Sequence, residues 1–88
     1  MDIIYQKRAL QDLAYWRASG NRQIQKKISE LLNDIVLHPF TGIGKPEPLK
    51  HQLRGCWSRH ISDEHRLIYE IYREDVHILS LRGHYVLA

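Results

Sequence analysis

Residues 45–52 read KPEPLKHQ and set one carboxylate, Glu47, between Pro46 and Pro48, with Lys45 and Lys50 close by. A lone loop carboxylate ordinarily serves solubility. Here the two prolines hold the backbone extended and lower the entropy lost in fixing it, a restraint that suits a poised base. No further acid occurs until Asp63, whereas Lys50, His51, Arg54, Arg59 and His60 all fall in between. A cationic stretch without local neutralisation favours a phosphate partner. Arg66, His84 and Tyr85 follow downstream, and an imidazole is the side chain suited to donating a proton near neutral pH. Together a carboxylate, an imidazole, a phenol and several cations are the parts for cutting RNA without a metal. A base takes the ribose 2′-hydroxyl proton, cations stabilise the phosphorane, and an acid protonates the departing 5′-oxygen. Attack by the neighbouring hydroxyl is intramolecular, so orientation supplies much of the acceleration. DNA lacks that nucleophile.

Other chemistries find no support in the residues. His60 and His65 lie five apart with no carboxylate or thiol at ligand spacing, so no metal site and no cofactor are expected. There is no phosphate-cradling glycine loop, nucleophile elbow or dinucleotide fingerprint. The single cysteine, Cys56, excludes an internal disulfide, reads as a buried small hydrophobe and points to a reducing cytoplasm. The start MDIIYQKRAL lacks the apolar segment of a signal peptide, and no run nears the ~18 apolar residues that cross a bilayer, so no membrane role is expected. Blander roles stay open for single residues: Arg66 could pair with Asp63 or Glu64, and Tyr85 could finish the core. Trp16 and Trp57 read as core.

These side chains need a scaffold. Eighty-eight residues, 43% hydrophobic and 26% charged, make one folded domain spanning 1–88. The formal charge of +3 is a mild excess. DIIY reads as a first strand. In KRALQDLAYWRASG, Ala9, Leu10, Leu13 and Trp16 recur at helical spacing, and Ser19-Gly20 stops the helix. Asn21 is a plausible N-cap for a second helix whose Ile24, Ile28, Leu31, Leu32 and Ile35 share a face; Pro39 closes it near Val36. Residues 38–50, with all three prolines and two glycines, read as a stiff loop. Three β segments follow at 53–61, 65–73 and 76–85, joined by short turns and therefore antiparallel. The expected fold is α+β, with two N-terminal helices packed on one face of a small, mostly antiparallel sheet. Strict alternation puts Leu67, Tyr69 and Ile71 on one side and Arg66, Ile68, Glu70 and Tyr72 on the other. In the last strand it puts Val76, Ile78, Ser80, Arg82 and His84 together, opposite Leu79, Leu81 and Tyr85. The helix-free face is then a polar cleft where Glu47, Arg66 and His84-Tyr85 can meet.

The run PFTGIGKPEPLKHQLRGCWSRHISDEHRLIYEI, with Tyr15-Trp16 before it and His84-Tyr85 after, resembles the YoeB branch of the RelE-type toxins of bacterial toxin–antitoxin systems over nearly the whole chain. The resemblance implies the RelE-like fold and a ribosome-dependent endoribonuclease that cuts messenger RNA in the ribosomal A site. By position it implies Glu47 as general base, Arg66 as transition-state cation, His84 as general acid and Tyr85 as a supporting group. Lys45, Lys50, Arg59 and His60 become the RNA-binding set, with Lys50 and Arg59 on phosphates. Implied partners are a cognate antitoxin, the ribosome with its messenger, and a second copy of the chain in a homodimer. The pattern departs from the family's twice: His60 stands where a second arginine is usual, and Val86-Leu87-Ala88 follow the terminal His-Tyr pair. A different function on the same scaffold is a non-catalytic toxin that inhibits DNA gyrase, which would lack the combination of Glu47 with His84.

Overall fold

Gly20 and Asn21 divide the helical half of the chain. Gly20 ends the first helix in left-handed backbone at φ 69°, and Asn21 opens the second by accepting the Ile24 N–H on its side-chain oxygen at 3.1 Å. The computed structural model, which describes residues 1–84, runs β1 (Ile3–Tyr5), α1 (Lys7–Ser19), α2 (Arg22–Leu37), β2 (Glu47–Pro48), a 3-10 turn (His51–Leu53), β3 (Cys56–His60), β4 (Arg66–Tyr72) and β5 (Asp75–Ser80). The strands form one sheet in the order β1-β5-β4-β3-β2, parallel only where β1 meets β5. The α+β architecture is therefore the expected one. No helix among the described residues is long and apolar enough to cross a membrane.

Both helices cover one face of the sheet. Ala9 and Trp16 of α1, Ile24, Ile28, Leu31 and Ile35 of α2, and Leu67, Tyr69, Val76 and Ile78 of the sheet form the main core. Burial of these apolar side chains, each removing roughly 1.5–3 kcal/mol worth of surface from water, is what fixes the strands' inward and outward faces. Cys56 is buried as expected, but on the opposite face, where it joins Leu49 and Ile68 in a second, smaller apolar cluster. That face is thus apolar at one end and polar at the other.

Two expectations need correction. The stretch 38–50 is not loop throughout, because Glu47 and Pro48 pair antiparallel with Ser58 and Trp57 as a two-residue edge strand. Proline is tolerated there since an edge strand leaves one side unpaired. Strict alternation also fails in β5. Ile68 pairs with Ser80 while its neighbour Tyr69 pairs with Ile78, so Leu79 is an extra residue in a β-bulge. The bulge reverses the faces beyond it. Val76 and Ile78 lie in the main core together with Leu81, and Leu79 packs on the opposite side against the Cys56 cluster.

Gly44, just before the Glu47 arm, has φ +80°, and a Cβ there would lie 2.6 Å from Leu31 Cδ2 and 3.2 Å from Arg59 Cβ. Gly20 also has positive φ but faces open space. Gly20→Ala should therefore cost about 1 kcal/mol, and Gly44→Ala about 2–4 kcal/mol because strain and a core clash add. Urea unfolding of both variants checks this; equal costs would mean that the Gly44 contacts are slack.

Candidate functional site

The outer face of the sheet gathers its polar residues by register. Glu47 stands opposite Ser58 in β2–β3 pairing, and His60, two residues along β3 from Ser58, stands opposite Arg66 at the start of β4. The His60 N–H donates to Gly44 O at 2.7 Å, which ties the proline-rich arm to the end of β3. Lys45 follows in left-handed backbone at φ 54°, so two successive residues turn the chain sharply into Pro46 and Glu47. The Arg66 N–H donates to Gly83 O at 2.9 Å and so brings the segment carrying His84 alongside. Glu47 and His84 are exposed, whereas His60 and Arg66 are half-buried.

Charge around His60 reflects this grouping. Burial is the main cause pushing its imidazole below the ordinary 6.5, and the Arg66 and Lys45 cations push the same way; Glu47 and Asp63 oppose them more weakly. At neutral pH His60 is accordingly an uncharged hydrogen-bonding group, unlike an arginine. Arg66 forms no ion pair with Asp63 or Glu64 among the described residues. Its Nη1 instead donates to the carbonyls of Ser62 at 2.7 Å, His65 at 3.2 Å and Asp63 at 3.3 Å. These contacts employ one end of the guanidinium fork and leave its charge uncompensated by any carboxylate among the described residues.

Of the sequence-derived candidates, Glu47, Lys45, His60, Arg66 and His84 therefore share one region. Lys50 is exposed on the same arm but lies roughly 10 Å along the strand from Glu47, at the rise of an extended chain. Tyr85 lies outside the described residues. The expectation that Arg59 holds phosphate is overturned, because its side chain is 0% exposed. It points inward with Trp57, and all five guanidinium N–H groups are used. Nε donates to Tyr69 Oη at 3.1 Å, Nη1 to Asp34 Oδ2 at 2.5 Å and Ile43 O at 3.0 Å, and Nη2 to His38 O at 2.5 Å and Thr41 O at 2.8 Å. Arg59 thus holds the 38–43 loop from within.

A model of the YoeB-like toxins of bacterial type II toxin–antitoxin systems matches residues 5–85. The chain belongs to that family. Among relatives, this YoeB-like chain is 46% identical to Toxin YoeB of Escherichia coli strain K12, over 97% of this chain and 100% of that one. A solved YoeB/ParE toxin from Agrobacterium tumefaciens superposes with a TM-score of 0.92 at 32% identity, over 97% of this chain and 100% of that one. A YoeB–YefM complex from Staphylococcus aureus matches with a TM-score of 0.87 at 40% identity, and a YoeB dimer from the same organism with 0.86 at 38%; each covers 97% of this chain and 98% of the other.

Reading the sequence missed the partners that build the YoeB-like site from behind. Asp34 accepts from Arg59 and from the Ile43 N–H at 3.0 Å, and Tyr69 Oη donates to Pro39 O at 2.7 Å. A signal for Asp34 was present: an acid in the last turn of a helix opposes the macrodipole and calls for a cation. Asp12, on the buried stripe of α1 between Ala9 and Trp16, was equally visible as a carboxylate among apolar positions. It is 3% exposed and accepts the Leu81 N–H at 2.9 Å.

The Arg59 hydrogen bond, more than any other cause, holds the Asp34 carboxyl below its ordinary 3.8 despite the opposing effect of burial. A carboxyl depressed on folding contributes stability above its unfolded value, and that contribution is lost as pH falls from about 3.8 through the folded value. Asp34→Asn should flatten this part of the acid unfolding profile. Asp34→Ala, which strands the buried guanidinium, should cost about 3–5 kcal/mol at neutral pH. Denaturant melts across pH check both; a wild-type slope retained in Asp34→Asn would remove the ion pair from this role.

Proposed function

We propose that this YoeB-like chain is an endoribonuclease toxin that cuts messenger RNA in the ribosomal A site without a metal. The observation that carries the reading is the grouping of proline-framed Glu47 with His60 and Arg66, beside the glycine that precedes His84. Glu47 takes the proton of the ribose 2′-hydroxyl, and that oxygen attacks the adjacent phosphorus. Arg66 meets the charge growing on the non-bridging oxygens. The bond from phosphorus to the 5′-oxygen breaks, and His84 supplies the proton that the leaving oxygen needs. The products are a 2′,3′-cyclic phosphate and a new 5′-hydroxyl, so atoms and charge balance. Glu47 and His84 are separated by three interstrand steps and by at least two residues along the strands, roughly 16 Å between backbones, so both side chains must reach inward to flank one ribose–phosphate unit.

Lys45 and Lys50 fit neighbouring phosphates, and Tyr85 keeps the supporting role that the family resemblance gives it. The Staphylococcus aureus assemblies carry over as the proposal that an antitoxin neutralises this chain and that it pairs with a second copy. The proposed place of action is the cytoplasm, where its substrate is translated.

Induction without antitoxin, with 5′ ends of messenger mapped at codon resolution, tests the reading. Glu47→Gln and His84→Ala should each lower cleavage on the order of 10²-fold or more and relieve growth arrest. Cleavage should persist in chelator on ribosomes shown to remain intact. Undiminished cleavage by both variants would sink the mechanism, and broken DNA with intact messenger would favour a gyrase inhibitor instead. Because burial and neighbouring cations hold the His60 imidazole below its ordinary 6.5, His60→Arg should raise cleavage at neutral pH and lose that advantage only as pH falls below 6.5 through the lowered His60 value. A constant ratio across pH would show that His60 does not act as a titrating cation.

A further inference from the structure

His65 occupies the turn before β4, and its ring makes a contact that the proton-transfer set does not use. Nδ1 accepts the Gly83 N–H at 2.8 Å, while the next residue's main chain, the Arg66 N–H, donates to Gly83 O at 2.9 Å. Both polar backbone groups of Gly83 are therefore held from two adjacent residues. A ring nitrogen that accepts from an amide carries no proton, which fixes the imidazole with its hydrogen on Nε2. The ring stands edge-on to Trp16 at 4.8 Å between centroids, which limits its rotation.

The residues before Gly83 are secured from α1. Leu81 O accepts from Trp16 Nε1 at 2.9 Å, Leu81 N–H donates to Asp12, and Arg8 Nη2 donates to Arg82 O at 3.2 Å. At Gly83 itself, His65 supplies the side-chain contact found among the described residues. Gly83 has φ +74° and open space around a notional Cβ, so its neighbours leave its orientation free and these two hydrogen bonds set it. The carbonyl that Arg66 holds belongs to the peptide leading into His84, and the N–H that His65 holds fixes the peptide before it, so the two together set the backbone from which His84 projects.

The geometry points to His65 as a positioning residue whose Nδ1, by holding the Gly83 amide, aims the His84 imidazole at the leaving oxygen beside Arg66. This rests on the nuclease reading above. His65 touches no reacting atom and acts through the backbone. Misdirecting the acid by an ångström leaves substrate binding intact and penalises the chemical step, on the order of 10²-fold for a displacement of that size.

Two measurements decide it. In the unsubstituted chain, nitrogen NMR should find His65 Nδ1 unprotonated, and the Gly83 amide should exchange slowly with solvent. In ribosome-programmed cleavage, His65→Leu should lower kcat on the order of 10²-fold with KM within about twofold. His65→Asn, whose carboxamide oxygen can take the place of Nδ1, should recover to within about tenfold of wild type. Free exchange at Gly83, wild-type kcat in His65→Leu, or equal loss in both variants overturns the proposal. Should His65→Leu fail to fold, the amide exchange and His65→Asn decide it. A wild-type chain that leaves messenger uncut overturns the nuclease reading and this one with it, whereas a wild-type chain that cuts alongside an undamaged His65→Leu overturns this one alone.

Discussion

The Arg59 guanidinium is the constraint on which the rest of the site depends. A fully buried cation is tolerable only when its charge is paired and every N–H has an acceptor, and both conditions are met here. Asp34 supplies the charge, Tyr69 takes Nε, and three carbonyls from 38–43 take what remains. A loop whose carbonyls face inward around an arginine needs no helix or strand to satisfy its backbone. It leaves that shell at Gly44, whose carbonyl is bound by the His60 N–H, and turns through Lys45 into Pro46 and Glu47. The position of the exposed carboxylate is thus inherited from a buried cation on the neighbouring strand. Helix α2 enters the same arrangement through Asp34, so the helix end, the loop and β3 are tied together.

A second polar assembly does for residues 81–83 what Arg59 does for the arm. Asp12 and Trp16 reach from α1 to both backbone groups of Leu81, and His65 in the turn before β4 and Arg66 at its start reach to both of Gly83. The β-bulge at Leu79 belongs to this design, because without the extra residue Leu81 would face away from the helices and Asp12 would be buried without its amide partner. Asp12 also accepts from Arg8 Nε at 3.0 Å, which compensates its charge. Each end of the site is therefore built on satisfied hydrogen bonds behind the sheet rather than on contacts within the cleft. Such networks hold position well when complete and cost most when a single member is removed.

What could be read from the sequence followed the strength of periodicity. The α2 face of Ile24, Ile28, Leu31 and Ile35 gave the helix and its burial, and Leu67, Tyr69 and Ile71 gave the inner face of β4. Glu47, Arg66 and His84 were singled out because unusual residue types stood in unusual settings, and family resemblance implied roles for them. Two residues of pairing cannot announce a strand, so β2 was hidden in its prolines. The bulge was hidden because nothing local distinguishes Leu79 from an alternating position. Arg59 was a different kind of miss. In WSRHI, alternation already groups Arg59 with Trp57 and Ile61, and so points it inward; the habit of placing arginine at the surface overrode the pattern. Asp34, an acid at a helix C-terminus facing that arginine, was the matching half of the same signal.

This relocation changes what net charge means for the site. The chain's formal +3 already subtracts Asp34 and Asp12, so their pairing changes only where charge is free: Arg59 is buried against Asp34, and the exposed Arg8 is bound to Asp12. With His60 largely neutral, the cations that strand register places near Glu47 among the described residues are Lys45, Arg66 and, further along the arm, Lys50. So few phosphate contacts give weak, salt-sensitive attraction to free RNA, since each adds only its own counterion release. A toxin built this way cannot rely on its own charge to hold and orient a flexible strand. On the proposed reading its rigidity aims an acid and a base from behind the sheet, which is of use only if something else presents the phosphodiester in a fixed pose. Messenger already threaded and base-paired on a ribosome is such a substrate, so the scarcity of free cations and the stiffness of the two supports favour the same reading.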